Sequence, residues 1–260
     1  MQAYQASDFT MGETPLAGVA YAGLLRPERY LRETRLLDFD HPSLGKLASD
    51  RGWTALPAYE RIGAIYAFVQ NEIAFGYNEA DDIPASKVLA DGYGQCNTKG
   101  TLLMALLRKC DVPCRFHAFT IDKKLQKGAI AGLAFRLAPP NIIHSWVEIW
   151  YEGKWVNLEG FIIDRPYLNS VQRHFPEAEG AFCGFAIATK DLKNPPIAWK
   201  GTDTYIQNEG INHDYGPFDA PDDFYAEHGV NVSGVKEFAF RHFLQKWMNS
   251  NIARIRAGQW

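Results

Sequence analysis

The sequence lacks two features that would point to large partners: a long apolar run and an excess of basic residues. No stretch approaches the roughly 20 apolar residues that a membrane-spanning helix needs, and the first residues show no basic segment followed by an apolar one, as a secretory signal would. The net charge is −3, from 27 basic and 30 acidic residues, whereas binding to nucleic acids or anionic membranes calls for a basic excess. We therefore expect neither nucleic acid nor a membrane as a partner.

Cysteine is also scarce. The chain contains four, at Cys96, Cys110, Cys114 and Cys183, and they do not form a disulfide-dense pattern. This predicts a reducing, cytoplasmic location in which thiols stay free. Zinc needs four ligands, and Cys110 with Cys114 has no second Cys or His pair at ligand spacing. We interpret these two as buried structural cysteines and expect neither a metal nor a cofactor.

One stretch combines a tight turn with the start of an apolar helix. Gly92 and Gly94 mark a turn that ordinary side chains do not make, and residues 101–109 are almost all strong helix formers. Cys96 therefore falls at the first turn of a helix, where free N–H groups and the helix dipole stabilise a thiolate. The position predicts a nucleophile. Because most free cysteines are small buried hydrophobes without chemistry, this interpretation requires a base.

The segment 141–151 supplies a candidate base. It is rich in β-branched and aromatic residues, which is typical of a strand, and its alternation places His144 and Trp146 on one face. A short turn at 152–154 leads into a returning strand that ends near Glu159. A histidine near the start of one hairpin strand can face a carboxylate near the end of the other, and the carboxylate would then orient the imidazole.

Four short motifs, taken in order, resemble the transglutaminase-like branch of the papain-type cysteine enzymes. They are YGQC ending at Cys96, a leucine-rich helix ending in DVPCRF, HSWVE around His144, and WVNLE ending at Glu159. The resemblance covers roughly residues 58–165, and it implies a nucleophile at Cys96, a base at His144 and an orienting acid at Glu159. The family usually has Asp at the third position, so Asp164 stays open as a substitute for Glu159.

Attack by a cysteine on a carbonyl also needs donors for the oxyanion: the backbone N–H of the nucleophile and one more group. Vertebrate transglutaminases, which share the YGQC string, use an upstream tryptophan there, and this chain has none between Trp53 and its cysteine. The candidates for the oxyanion or substrate site are Gln95, Tyr77 and Trp146. Asn97 stands where those enzymes carry another tryptophan, which argues against a close match with the protein-crosslinking enzymes.

The predicted fold class is α+β, a papain-like or transglutaminase-core fold in which the Cys-bearing helix packs on an antiparallel sheet. A content of 47% hydrophobic and 13% aromatic residues is that of a packed globular protein. We predict a single domain over residues 1–260, with its core at about 58–165, an N-terminal extension at 1–50, and an acidic loop region with a C-terminal helix at 191–260.

Three further segments carry local predictions. Residues 57–73 have apolar side chains at helical spacing and predict a helix. The acidic run at 79–82 is interpreted as a solvated loop, because the spacing of an EF-hand calcium loop is absent. A final helix is predicted from Ser233 to about Ala257.

Two longer segments are interpreted as excursions from the core. Residues 123–140 look like an insertion loop, a kind of segment that often serves as a lid or binding loop. Residues 201–230 hold seven acidic residues and no Lys or Arg, with too many aromatics for disorder, which predicts an ordered but irregular excursion. It is either a wall of the substrate cleft that favours cationic ligands or a plain surface loop. His117, on a predicted strand at 115–121, is a weaker site candidate.

The predicted function is that of a cysteine-dependent amide or peptide hydrolase, with a Cys96–His144–Glu159 triad and a thioacyl-enzyme intermediate. Its partner is then a peptide or a small amide or amine substrate. Hydrolysis is favoured because the donors of the crosslinking enzymes are missing and water is the default acceptor. Two alternatives stay open: a transglutaminase- or cyclase-like acyltransferase that passes the acyl group to an amine, and a non-catalytic binding module on the same scaffold. The sequence does not determine the oligomeric state.

Overall fold

A computed structural model describes residues 23–24, 26–130, 132–231 and 244–260. In chain order, the helices and strands of these ranges are α1 (Pro42–Asp50), α2 (Ala58–Asn71), β1 (Ala74–Phe75), α3 (Ala85–Asp91), β2 (Tyr93–Gly94), α4 (Cys96–Lys109), β3 (Cys114–Asp122), α5 (Gly132–Leu137), β4 (Asn141–Tyr151), β5 (Lys154–Leu158), α6 (Arg165–His174), β6 (Phe182–Gly184), β7 (Ile187–Thr189), β8 (Ile211–Phe218), α7 (Pro221–His228) and α8 (Gln245–Arg256). Single turns of 3-10 helix occur at Pro27–Tyr30, Trp53–Ala55, Lys123–Gln126 and Asn208–Gly210.

The main sheet has four antiparallel strands in the order β5-β4-β3-β8. β4 and β5 form the predicted hairpin, with Val147 opposite Leu158. Its turn contains Glu152 and Gly153, both at positive φ, which matches the right-handed twist of the flanking strands. β3 pairs with β4 over its whole length, from residue 114 to residue 122. The hairpin therefore places the beginning of β4 and the end of β5 within reach of each other.

Helix α4 is buried on all sides and packs on this sheet. Every residue from Cys96 to Arg108 is buried, and the polar members Asn97, Lys99 and Arg108 make hydrogen bonds to backbone carbonyls there. Gly100 faces β4, where a Cβ on this residue would lie 3.8 Å from Ser145 Oγ and from Val147, an ordinary van der Waals distance. The predicted α+β class, with the Cys-bearing helix on an antiparallel sheet, is confirmed. Buried apolar side chains from residue 36 to residue 255 belong to one hydrophobic cluster around this helix.

The helix predicted at 57–73 is confirmed as α2, whose Ile62, Ile65 and Val69 are fully buried. The final helix is present as α8, but the structure describes it only from residue 245 onward. Its predicted beginning at Ser233, like the N-terminal residues 1–22, lies outside the described residues.

Two predictions about the excursions were wrong. Residues 123–140 are not a plain loop, because they contain a turn of 3-10 helix and α5. Residues 201–230 are not irregular, because they contain β8 and α7. The strand escaped recognition since Gly216, at a φ of 83°, and Pro217 interrupt its pattern, and both residue types are rare inside strands. β8 tolerates them because it is an edge strand with register shifts against β3.

In the ranges that the structure describes, no helix has both the length and the apolar character needed to cross a membrane.

Candidate active site

Cys96 begins α4 because the chain before it makes a sharp, closely packed turn. Gly92 ends α3 at a φ of 70°, in the left-handed region that favours glycine. β2 then pairs in parallel with β1. Gly94 packs so closely that a Cβ there would lie 2.6 Å from Thr98 Oγ1. Cys96 thus takes the first helical position, where backbone N–H groups have no partner within the helix.

Gln95 and Thr98 close the N-terminus of α4. The Thr98 hydroxyl accepts from the Gln95 backbone N–H at 3.1 Å, and its proton has two acceptors within reach, Asn78 Oδ1 at 2.6 Å and Gln95 Oε1 at 2.9 Å. The Gln95 amide nitrogen donates to Asp81 Oδ1 at 2.7 Å. These bonds fix the backbone on both sides of Cys96, so its sulfur is presented from a rigid position.

His144 and Glu159 form a fully buried pair beside this sulfur. The distance from His144 Nε2 to Glu159 Oε1 is 2.7 Å, and both side chains are inaccessible to solvent. No hydrogen bond of good geometry reaches His144 Nδ1 within the described chain, which leaves this nitrogen for Cys96. Burial alone would lower the pKa of His144, but the nearby charge of Cys96 and the hydrogen-bonded carboxylate of Glu159 raise the pKa to about 10. A protonated imidazole is the partner that stabilises a thiolate.

The second oxygen of Glu159 is held by backbone amides from a distant segment. Oε2 accepts from the N–H groups of Ile206, Gln207 and Asn208 at 2.7, 2.9 and 3.1 Å. A carboxylate that accepts several N–H bonds is stabilised in its charged form and fixed in direction. The longer side chain of glutamate spans the gap between these amides and the imidazole. Sequence reasoning missed this part of the site, because backbone amides leave no mark in the sequence.

Asn97 ties the cysteine helix to the histidine strand. Its Nδ2 donates to the carbonyl of Ile143 at 3.3 Å, and its Oδ1 accepts from Ser145 Oγ at 2.9 Å. The same Oδ1 lies 3.6 Å from the Cys96 sulfur. The two residues that flank His144 are thereby bonded to the residue that follows Cys96, which brings the sulfur and the imidazole together.

A buried carboxylate strengthens this connection, and here the prediction of a solvated loop at 79–82 was wrong for its central residue. Asp81 is only 8% exposed. Its Oδ1 accepts from Gln95 and Asn97, and its Oδ2 accepts from the backbone and side-chain N–H groups of Asn231 at 3.2 and 2.9 Å. Asn231 in turn accepts from the Ile143 N–H at 2.6 Å. Four donors from distant segments explain why the charge is buried.

The two predicted oxyanion donors are engaged with other groups. The Tyr77 hydroxyl donates to Gln126 Oε1 at 2.6 Å, and the Gln95 amide nitrogen donates to Asp81. Burial first, and then the charges of Tyr167 and Cys96, raise the pKa of Tyr77 well above its usual value. The oxyanion role of both side chains stays a prediction.

Trp146 and His117 share the outer face of the sheet. The Trp146 ring lies 4.1 Å from that of Phe119 and is 8% exposed. His117 stacks on Phe119 at 4.3 Å, and its ring nitrogens contact Glu148 and, at 2.8 Å, Asp214. Burial opposes protonation of His117, but the hydrogen bonds to these two carboxylates outweigh this effect and raise the pKa of His117. Trp146 thus lies on the same strand face as His144, and a substrate-binding role for it stays a prediction.

Asp164, the possible substitute for Glu159, lies in a different environment. It caps α6, accepting from the Tyr167 N–H at 2.9 Å and the Phe75 N–H at 2.7 Å, and it pairs with Arg256 at 2.8 Å. Of the two carboxylates, it is Glu159 that is bonded to His144.

The remaining cysteines lie away from this arrangement. Cys110 and Cys114 are fully buried and Cys183 is exposed. In the part of the chain that the structure describes, no cluster of His, Cys, Asp or Glu has the arrangement of a metal site.

Residues 48–160 match the model of the transglutaminase-like superfamily, a range that contains Cys96, His144 and Glu159. A crystal structure provisionally described as that of a cysteine protease from Cytophaga hutchinsonii is 16% identical, with a TM-score of 0.48 over 84% of this chain and 55% of that chain. This chain thus spans about half the length of that protein. No curated protein matches the chain significantly.

Proposed function

We propose that the chain, whose residues 48–160 form a transglutaminase-like core, is a cysteine-dependent amide or peptide hydrolase that works through a thioacyl-enzyme. The observation that carries the proposal is the convergence of Cys96, His144 and Glu159 from α4, β4 and the residue after β5. A nucleophile beside a base that a third group orients is the arrangement needed for covalent acyl transfer.

In the acylation half, the Cys96 thiolate attacks the carbonyl carbon of the amide, and the carbonyl oxygen takes up the negative charge. When the tetrahedral intermediate collapses, the carbon–nitrogen bond breaks. The protonated His144 gives its proton to the departing amine. Glu159 keeps the ring in the orientation that points Nδ1 to the sulfur, since its other oxygen is anchored by the amides of 206–208.

In the deacylation half, the neutral imidazole of His144 takes a proton from water, and the resulting hydroxide attacks the thioester carbon. The carbon–sulfur bond breaks, the acid is released, and sulfur leaves as the thiolate beside the imidazolium. An amine in place of water would complete acyl transfer instead. Product analysis with and without added amines separates these two outcomes.

The experiment is mass spectrometry of the intact protein after incubation with pools of peptide amides and peptide thioesters. We expect a covalent acyl adduct that maps to Cys96. Cys96→Ala should form no adduct and lose turnover by ~10³-fold or more, because removing the nucleophile removes the covalent route.

Cys183→Ala is the matched control, because Cys183 is the exposed cysteine and lies outside the site. It should keep both adduct and turnover. Equal turnover by Cys96→Ala and the wild-type protein would exclude the mechanism. A wild-type protein that binds the peptides without any adduct or turnover would identify a binding module instead.

A further inference from the structure

A buried hydroxyl without a partner lies in the same region as Cys96. Tyr225 is on α7 and is 8% exposed. Its Oη makes no hydrogen bond within the described residues. A buried polar group in this state lowers stability, and such groups are rare in native proteins. Where one persists, a role that is completed only when a ligand arrives is a physical explanation for it.

The contacts of residues 225–231 show where Tyr225 lies. Its ring packs against Phe116 on β3, with centroids 6.1 Å apart. Six residues later, Asn231 is bonded to Asp81 and to Ile143, the residue before His144. The segment 225–231 therefore runs onto the junction between the cysteine helix and the histidine strand. Burial first, and then the negative charges of Asp81 and Cys96, raise the pKa of Tyr225 well above its usual value. Its hydroxyl consequently keeps its proton and can donate it in a hydrogen bond.

Other donors near the nucleophile are already engaged. The Tyr77 hydroxyl bonds to Gln126, the Gln95 amide to Asp81, and the Asn97 amide to Asp81 and a backbone carbonyl. The Trp146 indole N–H also lacks a partner in the described chain. Its ring packs among Phe119, His117 and Tyr205, and the variant Trp146→Phe below tests it as the alternative donor.

We propose that the Tyr225 hydroxyl donates a hydrogen bond to the oxyanion that forms when the Cys96 sulfur attacks a substrate carbonyl. The inference rests on the proposed function. The backbone N–H of Cys96, at the first helical position, is the other donor. A donor that waits unpaired in a site with little water costs no reorganisation when charge develops on the oxygen. The same hydroxyl then has its partner only in the transition state, which is where a hydrogen bond accelerates the reaction.

The test is Tyr225→Phe, which keeps the ring and removes only the hydroxyl. With the peptide thioester pool, we expect the rate of Cys96 acylation and kcat to fall by ~10²-fold, with KM little changed. The thermal midpoint should stay the same or rise, because the removed hydroxyl had no partner in the folded state. Alkylation of Cys96 by iodoacetamide should be unchanged, since displacement of iodide forms no oxyanion.

Three variants serve as comparisons. Tyr215→Phe is the matched control, since Tyr215 is exposed on β8 and its hydroxyl can be removed without effect on acylation. Tyr77→Phe and Trp146→Phe test the other hydroxyl and the indole N–H. Loss of acylation in either of these, with none in Tyr225→Phe, would assign the donor elsewhere and overturn the inference.

Three further results are decisive. Unchanged acylation by Tyr225→Phe, in a protein whose Cys96→Ala variant is inactive, would overturn the inference and leave the proposed function standing. A parallel fall in acylation and alkylation would show that Tyr225 acts on the thiolate rather than on the oxyanion, and would equally overturn it. A wild-type protein that forms no acyl adduct would contradict the proposed function itself, and the role of Tyr225 with it.

Discussion

At the scale of single residues, Glu159 stands where the enzymes that this sequence resembles usually have aspartate, and its length matches its partners. Its Oε1 reaches His144 and its Oε2 reaches three successive amides. The additional methylene is needed to span both sets of partners, so the amides and the glutamate form one unit. Shortening the side chain would sacrifice one set of bonds or the other.

Glu159→Gln is expected to reduce turnover by ~10²- to 10⁴-fold, because an amide cannot stabilise the protonated imidazole that the reaction uses. Glu159 raises the pKa of His144, so its replacement by a neutral group lowers that pKa. The alkaline limb of kcat/KM, near pH 10 in the wild-type protein if His144 governs it, should therefore move to lower pH.

Glu159→Asp is the matched comparison, since it keeps the charge and loses one methylene. It should retain more activity than Glu159→Gln, with a smaller displacement of the alkaline limb. An unchanged pH profile in Glu159→Gln would show that this carboxylate does not control His144.

At the scale of elements, the site depends on the contact between the beginning of α4 and the beginning of β4. Two polar connections hold it: Asn97 bonds to Ile143 and Ser145, and Asp81 with Asn231 joins the helix start to Ile143. Neither helix propensity nor strand propensity supplies these contacts. The elements form locally, and buried polar side chains align them.

Asp81→Asn is expected to separate the Cys96 sulfur from the His144 imidazole. The new NH₂ group cannot accept a hydrogen bond, and it would face N–H donors that now bond to a carboxylate oxygen of Asp81. We expect a loss of about 1–3 kcal/mol in the free energy of unfolding and slower alkylation of Cys96 by iodoacetamide. Urea unfolding and mass spectrometry of labelled peptides measure the two effects.

Asp82→Asn is the control from the same loop. Its side chain is 39% exposed and lies 3.8 Å from Arg35, a surface pair that contributes about 0–1 kcal/mol. If Asp81→Asn alkylates at the same rate as Asp82→Asn, the carboxylate network does not align the nucleophile.

At the scale of the whole molecule, a charged side chain lies in the centre of the fold. Lys99 is fully buried on α4, and its Nζ donates to the carbonyls of Ile162 at 3.0 Å and Gln70 at 3.3 Å. It thereby joins α2, α4 and the chain after β5. Burial lowers the pKa of Lys99 to about 7, and Arg256 adds to the effect while Asp164 opposes it.

This lysine should make stability depend on pH. The unfolded chain binds the Lys99 proton up to the ordinary pKa of 10.5, whereas the folded chain releases it near pH 7. Between these values the unfolded state holds more protons, so this group makes the free energy of unfolding rise with pH. The raised pKa of His144 has the opposite effect: it makes the free energy of unfolding fall as pH rises from 6.5 to about 10. This contribution is the same in every variant that retains His144.

The difference in unfolding free energy between the wild-type protein and Lys99→Met isolates the lysine. We expect this difference to shift in favour of the wild type as pH rises from 7 to 10.5, measured by urea unfolding at several pH values. Lys109→Met, which removes a partly exposed lysine paired with Asp40, should show no such trend. A flat difference for Lys99→Met would mean that the buried amine keeps its proton.

The sequence by itself determined the parts of this protein that depend on local order along the chain. Helix α4 and its cysteine follow from glycines before a run of helix formers, and the β4–β5 hairpin with His144 and Glu159 follows from alternation and a short turn. These motifs also sufficed for the resemblance to the transglutaminase-like enzymes, because spacing within a helix or a hairpin fixes which side chains are neighbours.

Only the tertiary structure decided how these parts are held together. The hydrogen bonds of Asp81, of Asn97 and of the amides of 206–208 on Glu159 join segments up to 150 residues apart. The burial of the Tyr225 hydroxyl without a partner among the described residues is likewise a feature of the packing. A backbone amide has no sequence signature, and whether an Asp or a Tyr is solvated or buried depends on what packs over it. The sequence therefore sufficed to predict Cys96 and His144 as candidates, whereas the groups that hydrogen-bond and orient them were found only in the tertiary structure.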